Sequence, residues 1–155
     1  MKKKIIIILG VVLLIVISTI YLLSKNTTKD KIYLTDKYYN NNKFIEVNNK
    51  ELSKLNKENY ILFTYNNYCT LPIPCEYIFE EFMNKYNISI IYIPFKDYKK
   101  TNYYKKVKYA PTIIIINKGK VVAYLDANSN SDLNKYQDIK EFEQWISNYI
   151  YLINK

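Results

Sequence analysis

Residues 60–82 read YILFTYNNYCTLPIPCEYIFEEF. The run Tyr60–Tyr65 is apolar on both alternating faces, the pattern of a strand covered on two sides in a parallel sheet. Asn66-Asn67 interrupt it as a polar turn. Tyr68 and Cys69 follow, then five residues that include Pro72 and Pro74, then Cys75. Beyond it Ile78, Phe79, Phe82 and Met83 recur at helical spacing, Tyr86 continues the stripe, and Glu76, Glu80 and Glu81 lie off it. The stretch predicts a buried strand, a turn carrying the chain's only two cysteines, and an amphipathic helix. Pro74 suits the first turn of a helix, where its missing N–H costs nothing. A helix that opens there puts Cys75 in its first turn.

This arrangement resembles the thioredoxin-like family, which places an aromatic–Cys pair just after a central strand and a second Cys at the start of the next helix. The resemblance covers Phe44 to Leu152. It implies an α/β thioredoxin-like fold, with a mixed central sheet flanked by helices. It also implies a thiol–disulfide exchange site at Cys69 and Cys75, with Tyr68 as the aromatic. The family's usual motif has two residues between the cysteines, and this chain has five. A second family mark is Pro111, in Ala110-Pro111-Thr112. By resemblance its peptide bond is cis and it faces the dithiol turn. Ala110 would then present its backbone to an extended substrate, and Pro111 would keep metals off the thiols. Taken alone, Pro111 is an ordinary strand-opening proline, since only about 5–6% of X–Pro bonds are cis. A third mark is missing. Six residues before the first cysteine, where many members carry a buried acid, stands Phe63.

Several readings of the cysteines stay open. In an oxidising compartment two nearby cysteines tend to pair, and the spacing lets the Cα atoms approach within the disulfide range of about 4.4–6.8 Å. The pair is a redox dithiol, a structural bridge, or a degenerate site. By resemblance Cys69 attacks. A helix that starts at Pro74 instead gives Cys75 the dipole that stabilises a thiolate.

Outward from this stretch the chain reads as alternating elements. Phe44–Val47 is a first strand, and Asn49 caps a short helix over Lys50–Leu55. Ile88–Pro94 is a third strand, and Asp97–Val107 a short Tyr/Lys-rich helix. Ile113–Ile116 is too apolar to be exposed. Asn117-Lys118-Gly119-Lys120 is a hairpin turn into Val121–Leu125. Ala127–Gln137 is an Asn/Ser-rich loop, and Asp138 caps a last helix with Ile139, Phe142, Trp145, Ile146 and Tyr149 on one face. The order β-α-β-α-β-α-β-β-α, with parallel units first and an antiparallel hairpin last, supports the resemblance independently of the cysteines.

At the other end, Met1–Lys4 is a basic head and Ile5–Leu23 an uncharged apolar run. As a helix it spans roughly 28 Å at about 1.5 Å per residue, close to a bilayer core. It reads as a retained transmembrane anchor rather than a cleaved signal peptide, because no small-x-small pattern follows it. Lys2, Lys3 and Lys4 favour the head inside and the domain outside the cell membrane. The domains expected are 1–23, head and anchor; 24–43, a polar tether; and 44–155, a folded domain that needs nothing before it.

The 155 residues include no His and no Arg, and only Gly10 and Gly119 are glycine. His-based triads, His-ligated metal sites, arginine phosphate clamps and glycine-rich phosphate loops are therefore excluded. No cofactor and no metal are expected. The net charge of +9 comes from scattered lysines, which fits a solvated basic surface facing acidic lipids or cell wall; nucleic acid is not an expected partner. The function expected is thiol–disulfide exchange on the thiols or disulfides of exported proteins, with a membrane redox partner to recycle the pair. The rival is a redox-silent thioredoxin-like binding module, an accessory to secretion or transfer. A third reading is a basic surface protein that binds cell-wall or nucleic-acid polyanions.

Overall fold

The computed structural model describes residues 30–66 and 71–153. Its strands are β1 (Phe44–Glu46), β2 (Asn59–Tyr65), β3 (Ile90–Pro94), β4 (Thr112–Asn117) and β5 (Lys120–Tyr124). They form one sheet in the order β1-β3-β2-β4-β5. β3 lies parallel to both β1 and β2, β4 antiparallel to β2, and β5 antiparallel to β4. The mixed sheet expected from the element order is thus present. The interior of β2 is buried on both faces. On one side Phe63 meets Phe79 edge-on, with ring centroids 4.9 Å apart. On the other, Tyr60 packs near Tyr38 and its hydroxyl bonds that of Tyr103 at 2.9 Å. A strand sandwiched in this way has no use for the polar–apolar alternation of a half-exposed one, which is why it reads as a continuous apolar run.

The helices are α1 (Asn49–Ser53), α2 (Cys75–Tyr86), α3 (Phe95–Tyr98), α4 (Asn130–Leu133) and α5 (Ile139–Ile146). The stripe of α2, Ile78, Phe79, Phe82 and Met83, is buried as expected. Asn87 ends the helix in the left-handed conformation at φ 54°, its N–H bonded to Met83 O. Asp138 caps α5 by accepting from the N–H groups of Lys140 and Glu141. α2 and α5 share one side of the sheet through Phe82 and Phe142, whose rings meet edge-on at 5.1 Å, and through the Lys85–Glu143 ion pair at 2.7 Å. The hairpin turn sets Lys118 and Gly119 at φ 46° and 77°, both positive as the primed two-residue turn requires.

Four local expectations change. The cap of α1 is Asn48, not Asn49: its extended backbone lets the side chain accept from Lys50 and Glu51, and Glu51 returns a bond from the Asn48 N–H at 2.8 Å. Asp97–Val107 is not one helix but α3 followed by a 3-10 turn over Asn102–Lys105. Ala127–Gln137 is not all loop; it holds α4 and a 3-10 turn, Asn134–Tyr136, whose last residue is wholly buried. The fourth concerns the expected tether, of which the described part packs onto the domain. Leu34, Tyr38 and Tyr39 are buried in the core. Ile32 bridges Ile150 and Tyr39 bridges Ile88, and Tyr33 stacks on Tyr151 at 4.2 Å. The folded unit begins at Lys31. Among the described residues no helix is long and apolar enough to cross a membrane; the run Ile5–Leu23 lies outside them.

Candidate active site

The site is built where β2 ends and α2 begins. The β2–β4 register pairs Thr64 with Thr112, which sets Pro111 beside the last residues of β2 and the start of the cysteine turn. The Ala110–Pro111 peptide bond is cis, as the resemblance implied. The Asn66 side chain donates to the Ala110 carbonyl at 3.2 Å. The backbone expected to face a substrate is therefore tied to the residue that opens the turn. Tyr68 and Cys69 lie outside the described residues, and so does the Cys69–Cys75 pairing.

Cys75 is the first residue of α2, with Pro74 at its cap position. This is the placement that Pro74 predicts, and it puts the thiol at the positive end of the helix dipole. Yet Cys75 is 0% exposed. Its thiol donates to Glu76 Oε2 at 3.7 Å. A carboxylate thus touches the buried sulfur from the helix itself, although the strand position where an acid was sought holds Phe63, buried against Phe79. Glu76 was legible only as an off-stripe charge, because the sequence gives no sign that neighbouring side chains on a helix will turn toward each other.

Behind the site lies Tyr136. Its hydroxyl donates to Leu125 O at 2.7 Å and accepts from the Ile113 N–H at 3.4 Å. Burial pushes its ionisation well above the ordinary tyrosine value, and the neighbouring Cys75 adds to the shift. The next residue, Gln137, bonds the cysteine turn directly. The Ile73 N–H donates to Gln137 Oε1 at 3.0 Å, and Gln137 Nε2 donates to Ile73 O at 2.7 Å. Neither residue was singled out from the sequence, since nothing local links positions so far apart in the chain. On the aromatic side of the sheet Tyr65 and Tyr92 stack at 4.4 Å. Burial raises the Tyr92 ionisation, helped by its hydrogen bond to Tyr65 and by the charge of Glu76. Three large apolar side chains near these residues in the chain are exposed: Ile73 at 42%, Tyr77 at 62% and Tyr109 at 54%. A separate cleft of about 460 Å³, lined by Lys50, Ser53, Asn56, Thr101 and Tyr103 among others, includes none of the site residues.

No family model and no curated protein matches the chain. Among solved structures, a mutant thioredoxin from Halobacterium salinarum is similar over 73% of this chain and 96% of its own, at 16% identity and a TM-score of 0.52. A thioredoxin from Schistosoma mansoni is 21% identical over 70% of this chain and 97% of its own, with a TM-score of 0.49. The likeness to the Halobacterium protein shows that the domain has the thioredoxin fold.

Proposed function

We propose that the protein is a membrane-anchored, extracytoplasmic thiol–disulfide exchange protein that acts on exported proteins through Cys69 and Cys75. The observation that carries this reading is the position of Cys75: the first residue of the helix that follows the central strand, its thiol buried and in contact with a carboxylate. Of the two orders of attack left open by the sequence, the burial of Cys75 supports the one in which Cys69 attacks first, because a sulfur with no exposed surface does not readily reach a substrate disulfide.

The Cys69 thiolate attacks one sulfur of a substrate disulfide, forming a mixed disulfide and releasing the other substrate sulfur as a thiolate that takes up a proton. Cys75 then passes its proton to Glu76. The resulting thiolate attacks the Cys69 sulfur, and the second substrate sulfur leaves. Two electrons pass from the pair to the substrate, and the reverse sequence oxidises a substrate dithiol. The run Ile5–Leu23 would hold the domain at the outer face of the cell membrane, where a membrane redox partner would recycle the pair.

Trapping tests the reading. In Cys75→Ser the resolving thiol is gone, and mixed disulfides should accumulate through Cys69. Cys69→Ser should trap few. The reverse pattern makes Cys75 the attacking thiol. If neither variant traps a partner and both melt earlier, the bridge is structural; a loop this short is worth less than the roughly 3 kcal/mol of a 15-residue loop. The exposed side chains of Ile73, Tyr77 and Tyr109 favour one second reading, a redox-silent module that binds extended chains beside Pro111. Unchanged melting with no trapped partner leaves that module standing.

A further inference from the structure

A turn with five residues between its cysteines has more freedom than the two-residue turn of the family. Each additional free residue lowers the chance that the two sulfurs meet. Two constraints on the Cys75 side are plain. Cys75 is fixed as the first residue of α2, and Pro72 and Pro74 each lock one φ. The third comes from across the fold. Gln137 accepts from the Ile73 N–H at 3.0 Å and donates to the Ile73 carbonyl at 2.7 Å. One side-chain amide thus makes the pair of bonds that a neighbouring strand residue would make in a ladder. Gln137 is itself anchored, because Tyr136 before it is buried and bonded to Leu125 O, and Asp138 after it caps α5.

We propose that Gln137 is a positioning residue that fixes the middle of the cysteine turn and so sets how readily Cys69 and Cys75 form a disulfide. The proposal rests on the redox reading above. Its substance is that a long turn is made to behave as a short one by a clamp from a segment that is remote in sequence. Releasing the clamp returns the freedom of about one residue to the reduced state, a factor of about ten in the equilibrium constant for closing the disulfide. For this two-electron couple a factor of ten is about 30 mV, toward a more easily reduced pair.

The test uses the full chain with Gln137→Met, which keeps the bulk and loses both bonds, and Gln137→Ala. Tyr39→Phe serves as a control for stability alone: it removes the hydroxyl that accepts from the Leu34 N–H and donates to Tyr151 O, and touches no residue of the turn. The measurements are the reduction potential of the pair and hydrogen exchange at the Ile73 amide. Both Gln137 variants should lose protection at Ile73 and shift the potential by about 30 mV, while Tyr39→Phe lowers the melting temperature and leaves the potential in place. A wild-type pair that oxidises normally, with a potential that Gln137→Met does not move, overturns this proposal alone. A shift of equal size in Tyr39→Phe overturns it too, because the effect is then global stability. A wild-type pair that stays reduced at every potential overturns the redox reading, and this one with it.

Discussion

Cys75 and Glu76 are adjacent in the chain, yet their contact changes what the buried thiol can do. A buried thiol must lose its proton before it can resolve a mixed disulfide, since the thiolate is the nucleophile. Water has no access to a sulfur that is 0% exposed, so the proton needs a neighbour. The Glu76 carboxylate at 3.7 Å is such a neighbour. Glu76→Gln keeps the size and the polar contact but cannot take the proton. Resolution of a preformed mixed disulfide on Cys69 should slow on the order of a hundredfold near neutral pH, the lower end of the usual range for general-base assistance. The deficit should persist as pH rises, because hydroxide has no more access to the buried sulfur than water has. Stopped-flow measurement across pH checks this; equal rates for the two proteins at every pH would reduce Glu76 to a bystander.

At the scale of elements, what was legible in the sequence is what local pattern dictates. β2 shows as an apolar run, α2 and α5 as helical stripes, the β4–β5 hairpin as a turn with Gly119, and the start of α5 as Asp138. Each signal lies within a few residues of the structure it specifies. The family likeness added the cis bond at Pro111 and the place of Cys75 at the start of α2. The two larger misses depend on partners far along the chain. Gln137 clamps Ile73, and Lys31–Lys43 looked like a tether because its apolar residues have no period. Ile32 bonds the backbone at Tyr149 and Tyr151, Thr35 that of Asn59, and Tyr38 that of Ser89. Those bonds exist only once the sheet and α5 are in place. The consequence is a different domain boundary. Full burial of Leu34, Tyr38 and Tyr39 is worth about 1.5–3 kcal/mol for each side chain, against a usual total stability of about 5–15 kcal/mol. A fragment of residues 31–155 should therefore fold with a cooperative melt, whereas residues 44–155 should be largely unfolded or aggregate. Circular dichroism of the two fragments separates the cases, and equal melting temperatures would show that the segment merely decorates the surface.

Over the whole molecule the unusual material is tyrosine, with 18 among 155 residues. Tyr38, Tyr60, Tyr98 and Tyr136 are among the largest fully buried side chains. Their hydroxyls are bonded within the fold, to Glu58, Tyr103, Val107 O and Leu125 O respectively. Burial is the first cause of a raised ionisation in all four; the Glu58 hydrogen bond adds to it at Tyr38, and the Tyr103 hydrogen bond at Tyr60. In the unfolded chain the same groups titrate near the ordinary value of 10. Above that pH the folded state holds more protons than the unfolded one, and so stability falls as pH rises. Below about pH 10 the contribution is fully present, and it is lost on the way up toward the folded-state values. Each buried tyrosine adds a slope of about 1.4 kcal/mol per pH unit once its unfolded counterpart is ionised. Four acting together approach about 5.5 kcal/mol per unit, enough to remove an ordinary domain's stability within one to two units. The domain should therefore unfold cooperatively between about pH 10 and 12, and the tyrosinate absorbance of the buried rings should appear together with the loss of far-ultraviolet circular dichroism. A melting temperature that stays level from pH 8 to pH 12 would show that the four phenols ionise in place, and that the core tolerates charge where burial argues it cannot.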